Sequence, residues 1–155
     1  MDGMPGTSRP TAVSNATLMD AIWDSLAGFY GDFTSAAADE GLTSSQAKTL
    51  TVLRRGPASM RSLATTLHCD ASNVTGIIDR LEARTLVRRE PSPTDRRVKN
   101  VVLTDEGIRT VETIRTGMLA THGALDALPD ADRVALHDLL QRLFATPERG
   151  PGTPG

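Results

Sequence analysis

The chain of 155 residues has one cysteine, two lysines, one tryptophan, one tyrosine and three phenylalanines. Each scarcity excludes something. A lone thiol, Cys69, forms no internal disulfide, so nothing points to an oxidising compartment. It also leaves no second thiol for a cysteine-based zinc site. No apolar run approaches the ~18 residues that a membrane span needs. The opening MDGMPGTSRPTAVS lacks the basic start and apolar stretch of a secretory signal, so the expected location is the cytoplasm, with no membrane partner. There is no glycine-rich phosphate loop, no metal-ligand spacing and no carboxylate pair tied to a cleft. The chain therefore does not read as an enzyme, and neither a cofactor nor a metal is expected.

What the chain does have is charge, unevenly spread. The formal net charge is −2, but ten basic and five acidic residues lie between Arg54 and Lys99, a local excess of +5. The rest of the chain carries −7. A basic middle between acidic ends suits a protein that meets a polyanion with its middle. Chance clustering on a solvated face explains the same numbers, so charge alone does not decide.

Hydrophobic spacing organises the chain. Residues 1–13 and 146–155 are rich in Gly, Pro and Thr and are expected to be disordered. Over 14–41, Leu18, Ile22, Leu26, Phe29 and Phe33 fall on one helical face, which Met19, Trp23 and Tyr30 widen and Gly41 closes. A stripe this broad wants a partner surface. Thr43 and Gln46 form a capping-box pattern before Ala47, Leu50 and Leu53, and Gly56-Pro57 stops that helix. Two short helices follow. The first is capped by Ser59 and carries Leu63 and Leu67; the second is capped by Asp70 and carries Val74, Ile77, Ile78 and Leu81. About three residues join them, the spacing of a helix-turn-helix.

LVRRE and VKNVVLT then read as two strands around a turn marked by Pro91, Pro93 and Asp95. After Thr104, one helical face carries Ile108, Val111, Met118, His122 and Leu125. A last helix, started by Pro129 and Asp130, carries Leu136, Leu139, Leu140, Leu143 and Phe144. The expected fold is mainly α with a small β wing: a winged helix-turn-helix over 42–104, flanked by helices over 14–41 and 105–145.

The second helix of the pair carries Ser72, Asn73, Thr75, Gly76, Asp79 and Arg80 between its apolar positions. In a major groove, Asn pairs with adenine and Arg with guanine, while Ser and Thr contact bases or phosphates. The early residues of a recognition helix are the ones that touch bases. On the hairpin turn stand Asp95, Arg96, Arg97 and Lys99. Arginine inserted into a narrow minor groove is favoured by its negative potential. Asp95, two residues from Arg97, is expected to hold the Arg97 side chain in one rotamer. Ser59 and Arg61 are expected to anchor phosphates. The plainer alternatives are helix capping by Ser72 and Asn73, and a solvated turn with a weak ion pair.

DASNVTGIIDRLEARTLVRREPSPTDRRVKNVVLTDEG resembles the DNA-binding core of MarR-type regulators. The family pattern of Asp, any residue, Arg, three residues, apolar, any residue, Leu-Thr falls on Asp95, Arg97, Val101, Leu103 and Thr104. Helix order and length agree from about Leu18 to Phe144. The resemblance implies a symmetric homodimer built from the first and last two helices, acting on double-stranded DNA as a repressor with a pseudo-palindromic operator. It further implies a pocket for a small aromatic or phenolic effector, drawing here on Trp23, Phe29, Tyr30, Leu53, Arg54 and Met118. Two positions depart from the family. Thr85 stands where a glycine usually precedes the first strand, so either that residue is strained or the helix ends differently. His68 stands where such turns often have glycine. Two other functions remain on this reading. Cys69, at a helix start, would serve a thiol-based redox sensor. A winged helix without DNA binding would serve protein interaction, although such a chain is expected to lose the wing cations that this one keeps.

Overall fold

In the computed structural model, which describes residues 12–144, the first element is helix α1, Asn15–Asp39. The expectation of disordered tails lies outside the described residues, apart from Ala12 and Val13. The Ser14 hydroxyl accepts from the Thr17 amide and caps the start of α1. At its end the Leu42 amide donates to the Ala37 carbonyl and the Gly41 amide to that of Ala38, with Gly41 at φ +65°. That is a Schellman ending, and it needs a residue tolerant of the left-handed conformation.

Helix α2, Ser44–Leu53, opens with the expected capping box: Gln46 N donates to Thr43 Oγ1 (3.2 Å) and Thr43 N to Gln46 Oε1 (2.9 Å). Strand β1 is only Ala58–Ser59. Helices α3, Met60–Leu67, and α4, Ala71–Ala83, are capped by Ser59 and Asp70 and joined through His68, Cys69 and Asp70. His68 takes φ +52°, as its place in the turn implied. Strands β2, Val87–Pro91, and β3, Lys99–Leu103, pair antiparallel, with Val87 opposite Leu103 and Pro91 opposite Lys99. The strand β1 was not anticipated. It pairs antiparallel with β3 on its other edge, giving the order β1-β3-β2. Two residues carry no alternation to read; only the neighbouring β3 makes them a strand.

The segment after Thr104 departs from expectation. It is not one helix but α5, Asp105–Gly117, and α6, Leu119–Asp126, broken at Met118. Asp32 on α1 explains the break. Its carboxylate accepts from the Thr121 amide at 2.8 Å and so caps α6 from another helix. That hydrogen bonding, led by the Thr121 side chain, holds the Asp32 carboxyl below its usual range. Ile108, expected to face inward, is exposed; the buried face of α5 is Thr110, Val111 and Ile114, with Met118 buried at the break. Helix α7 spans Asp130–Phe144.

One core unites the C-terminal part of α1, through Phe33, Ala36 and Ala37, with α2–α5 and the sheet. Leu50, Leu63, Val74, Ile78, Leu81, Val87 and Val101 are essentially inaccessible. Full burial of one such side chain is worth about 1.5–3 kcal/mol. The contrast lies in the flanking helices. Leu18, Trp23, Leu26 and Phe29 of α1 are exposed, Trp23 by 74%. So are Leu119 of α6 and Leu139, Leu140, Leu143 and Phe144 of α7.

Thr85 settles the first family departure. Helix α4 ends in a Schellman pattern, Leu86 N to Leu81 O (3.0 Å) and Thr85 N to Glu82 O (2.9 Å), with Thr85 at φ +59°. The helix thus keeps a left-handed ending, with a β-branched residue where the resemblance implies glycine. A side chain there costs on the order of 1–2 kcal/mol. Thr85→Gly is expected to raise unfolding stability by about 1 kcal/mol and the melting temperature by about 2–4 °C. A calorimetric melt that moves down would contradict this.

Candidate nucleic-acid interface

Helix α4 turns Val74, Ile77, Ile78 and Leu81 inward, which leaves Ser72, Asn73, Thr75, Asp79 and Arg80 on its exposed side. The Asp70 carboxylate accepts from the Asn73 amide (2.8 Å) and the Ser72 hydroxyl (2.7 Å). These bonds, the Asn73 amide first, hold its carboxyl below the usual range. The Thr75 hydroxyl donates to the Ala71 carbonyl at 2.9 Å. Ser72 and Thr75 thus donate their protons within the chain and offer lone pairs outward. Asn73 has no side-chain partner among the described residues, so its amide is free to donate and accept. It borders a small cavity of about 70 Å³ with Ser45, Lys48 and Cys69.

Gly76 sits mid-helix on this side, and a Cβ added there would meet nothing within 4 Å. Glycine in a helix interior costs about 0.8–1 kcal/mol against alanine. Among the described residues no neighbour requires the glycine. Gly76→Ala is expected to raise unfolding stability by about 1 kcal/mol while weakening DNA binding. A melt and a binding titration on the same sample check both halves. Gained stability with unchanged affinity would show that α4 does not approach DNA at this point.

The β2–β3 turn is closed by Ser92 N to Val98 O (2.8 Å) and Val98 N to Asp95 O (2.9 Å). Asp95 corrects an expectation. Its carboxylate accepts from the backbone amide of Arg97 at 3.0 Å, and it forms no ion pair with the Arg97 guanidinium. Asp95 shapes the turn; it does not hold the arginine's rotamer. The short turn folds the carboxylate back on the main chain before it can meet a side chain pointing out.

Arg89 is a residue that sequence reasoning missed. From β2 it reaches Asp79 of α4 at 2.6 Å and also pairs with Glu82. The bond to Asp79, first, raises its pKa against the opposing effect of burial. The network fixes the wing against α4 and offsets the one acidic side chain that α4 exposes beside Arg80. No local spacing marks Arg89, because its partners lie seven and ten residues away across a helix end.

Pairing sorts the ten cations between Arg54 and Lys99. Arg54 binds Glu112, Arg88 binds Glu90, Arg89 binds Asp79 and Glu82, and Arg84 binds main-chain carbonyls. Among the described residues, Arg55, Arg61, Arg80, Arg96, Arg97 and Lys99 have no partner. Five of these six were singled out from sequence; Arg55, in the turn after α2, is the addition. The Ser59 hydroxyl accepts from the Ser62 amide at 3.1 Å, which leaves its proton to donate.

The six suggested effector-pocket residues are placed differently from one another. Leu53 and Met118 are in the core, whereas Trp23 and Phe29 are exposed. Tyr30 lies under the Lys48 ammonium, 4.6 Å from the ring centre. None of the six lines the cavity beside Asn73 or the one at the wing bordered by Glu90, Pro91, Ser92, Pro93 and Arg96. No cluster of three or more His, Cys, Asp or Glu side chains gathers as a metal site among the described residues. Nor is any described helix long and apolar enough to cross a membrane.

Residues 42–99 match the model of the MarR family, and they cover the helix pair and the wing turn just described. The repressor NicR of Pseudomonas putida is 35% identical over 118 residues, 75% of each chain. The chain belongs to the MarR family. Among crystal structures of known proteins, RV1404 from Mycobacterium tuberculosis has a TM-score of 0.70 at 25% identity over 90% of this chain and 99% of its own. CouR from Rhodococcus jostii, crystallised with p-coumaroyl-CoA, has a TM-score of 0.63 at 28% identity over 84% of this chain and 92% of its own. As a MarR-family member, this protein is a DNA-binding transcriptional regulator and not an enzyme.

Proposed function

We propose that the protein is an effector-responsive repressor that binds a pseudo-palindromic operator as a homodimer. Ser72, Asn73, Thr75 and Arg80 of α4 read the major groove, and Gly76 lets the helix come close. Arg97 enters the flanking minor groove, while Arg96, Lys99, Ser59 and Arg61 meet phosphates. The observation that carries this is the set of unpaired cations: five of the six fall on α3, α4 and the wing, with Arg55 in the turn after α2, while Arg54, Arg84, Arg88 and Arg89 are tied up internally. The apolar residues left exposed on α1, α6 and α7 support a dimer made through those helices. NicR, itself a repressor, supports the sign of regulation. CouR, bound to p-coumaroyl-CoA, supports an effector with an aromatic or phenolic group. Such an effector would favour a dimer whose two α4 helices no longer match the operator spacing. No observation favours thiol sensing at Cys69.

Sedimentation equilibrium and salt-dependent binding to DNA selected from a random pool test the reading together. A dimer presenting its unpaired cations is expected to lose affinity with salt at a log–log slope of roughly −5 to −10. A monomer, or a slope near zero, would contradict it.

A further inference from the structure

The side chain of Arg84, immediately after α4, reaches back to the far end of α1. Its guanidinium donates to the Gly41 carbonyl at 2.8 Å and to the Glu40 carbonyl at 3.0 Å. These two carbonyls close the ending of the longest helix, yet α1 does not need Arg84 as a cap. The amides of Gly41 and Leu42 already satisfy Ala38 and Ala37. Direct packing of α1 on α4 is slight; the other routes between them run through α2 and through α5, whose start is joined to the residues that follow α4. A planar fork on two adjacent carbonyls fixes direction as well as distance, which one ammonium does not. A cation at the negative end of α1 is favourable in addition.

From this geometry we infer that Arg84 is a positioning residue for DNA recognition, setting the angle of α4 relative to α1. The inference rests on the proposed dimer. If α1 carries the dimer contact, the orientation of α4 on α1 decides whether two α4 helices sit one helical turn apart on DNA, roughly 34–36 Å. Asp32 on the same helix anchors α6, so α1 holds both the recognition lobe and the flanking helices. Loss of the Arg84 fork lets each lobe rock. Binding to two half-sites at fixed spacing must then select the matching pair of orientations, a cost that a single half-site does not impose.

The test compares wild type, Arg84→Ala and Arg84→Lys on a selected full operator and on a DNA carrying one half-site, with a thermal melt of each protein. Arg84→Ala is expected to bind the full operator about tenfold more weakly, the equivalent of one charge-assisted hydrogen bond. Its half-site binding is expected to stay unchanged. Arg84→Lys keeps the charge without the fork. It is expected to show the same split in smaller measure, and it guards against an alanine variant that fails to fold. Equal losses on both DNAs would make Arg84 a phosphate contact or a merely structural residue, and no loss on either would remove it from recognition; both overturn the inference. Wild type that binds the full operator no better than the half-site would overturn the dimer reading and the inference with it.

Discussion

Arg97→Ala is expected to weaken operator binding by about 1–3 kcal/mol for each wing while leaving fold and assembly intact. The two halves of that expectation have separate grounds. The fold survives because Asp95 is bonded to the Arg97 backbone amide, which alanine retains. No internal ion pair is lost either, since the guanidinium has no partner among the described residues. Affinity falls because a free arginine at the tip of a wing breaks no internal bond to reach DNA. Arg88 supplies the contrast on the same hairpin. It is already paired with Glu90 at 2.5 Å, so Arg88→Ala is expected to matter much less. Fluorescence anisotropy at several salt concentrations separates the possible contacts. A groove-inserted Arg97 loses most on sequences with a narrow, A-tract minor groove. A phosphate contact instead loses equally on all sequences and lowers the salt slope by about one per wing. If Arg97→Ala binds as wild type does, the wing assignment fails.

Gly107→Ala carries the largest expected cost in stability, and it opposes Gly76→Ala in sign. A Cβ at position 107 would lie 2.0 Å from the Leu86 carbonyl oxygen, 3.0 Å from its carbon and 3.2 Å from Leu103 Cδ2. The obstacle is main chain, and it is already engaged: the Leu86 carbonyl accepts from the Thr104 amide at 3.1 Å. Thr104 also donates its hydroxyl proton to the Thr85 carbonyl (2.6 Å) and accepts from the Gly107 amide (3.0 Å). The exit of α4, the end of β3 and the start of α5 therefore meet at one junction. Forcing it apart costs about 1–3 kcal/mol of overpacking and about 1 kcal/mol for a weakened hydrogen bond. The helix-propensity gain returns at most about 1 kcal/mol. The net loss of about 1–3 kcal/mol should lower the melting temperature by about 2–12 °C. An unchanged melt would show that the junction yields freely.

What could be read in the sequence was what is local. Thr43 with Gln46, Ser59 and Asp70 were legible as caps because a cap bonds three residues ahead. Val74, Ile77, Ile78 and Leu81 were legible as core because helical spacing repeats within the segment itself. Features that failed to show depend on partners far along the chain. Strand β1 exists through β3, and the break at Met118 through Asp32, 89 residues from the amide it caps. Arg89 and Arg84 are two of several arginines in one run until the fold brings them acceptors. Asp95 and Arg97 lie between these cases. Their proximity was plain, but which atoms meet depended on how the turn folds back. The site was thus legible as a set of cations, and the internal pairing that frees some and occupies others was not.

The central claim is that α4 and the wing act in pairs across a two-fold axis on DNA. Hydroxyl-radical footprinting on a selected operator tests it most directly. Two symmetric sets of protections are expected, with major-groove centres roughly 34–36 Å apart. Each should be flanked by a minor-groove protection that Arg97→Ala removes. A single asymmetric patch, or flanking protections that persist without Arg97, would contradict the account.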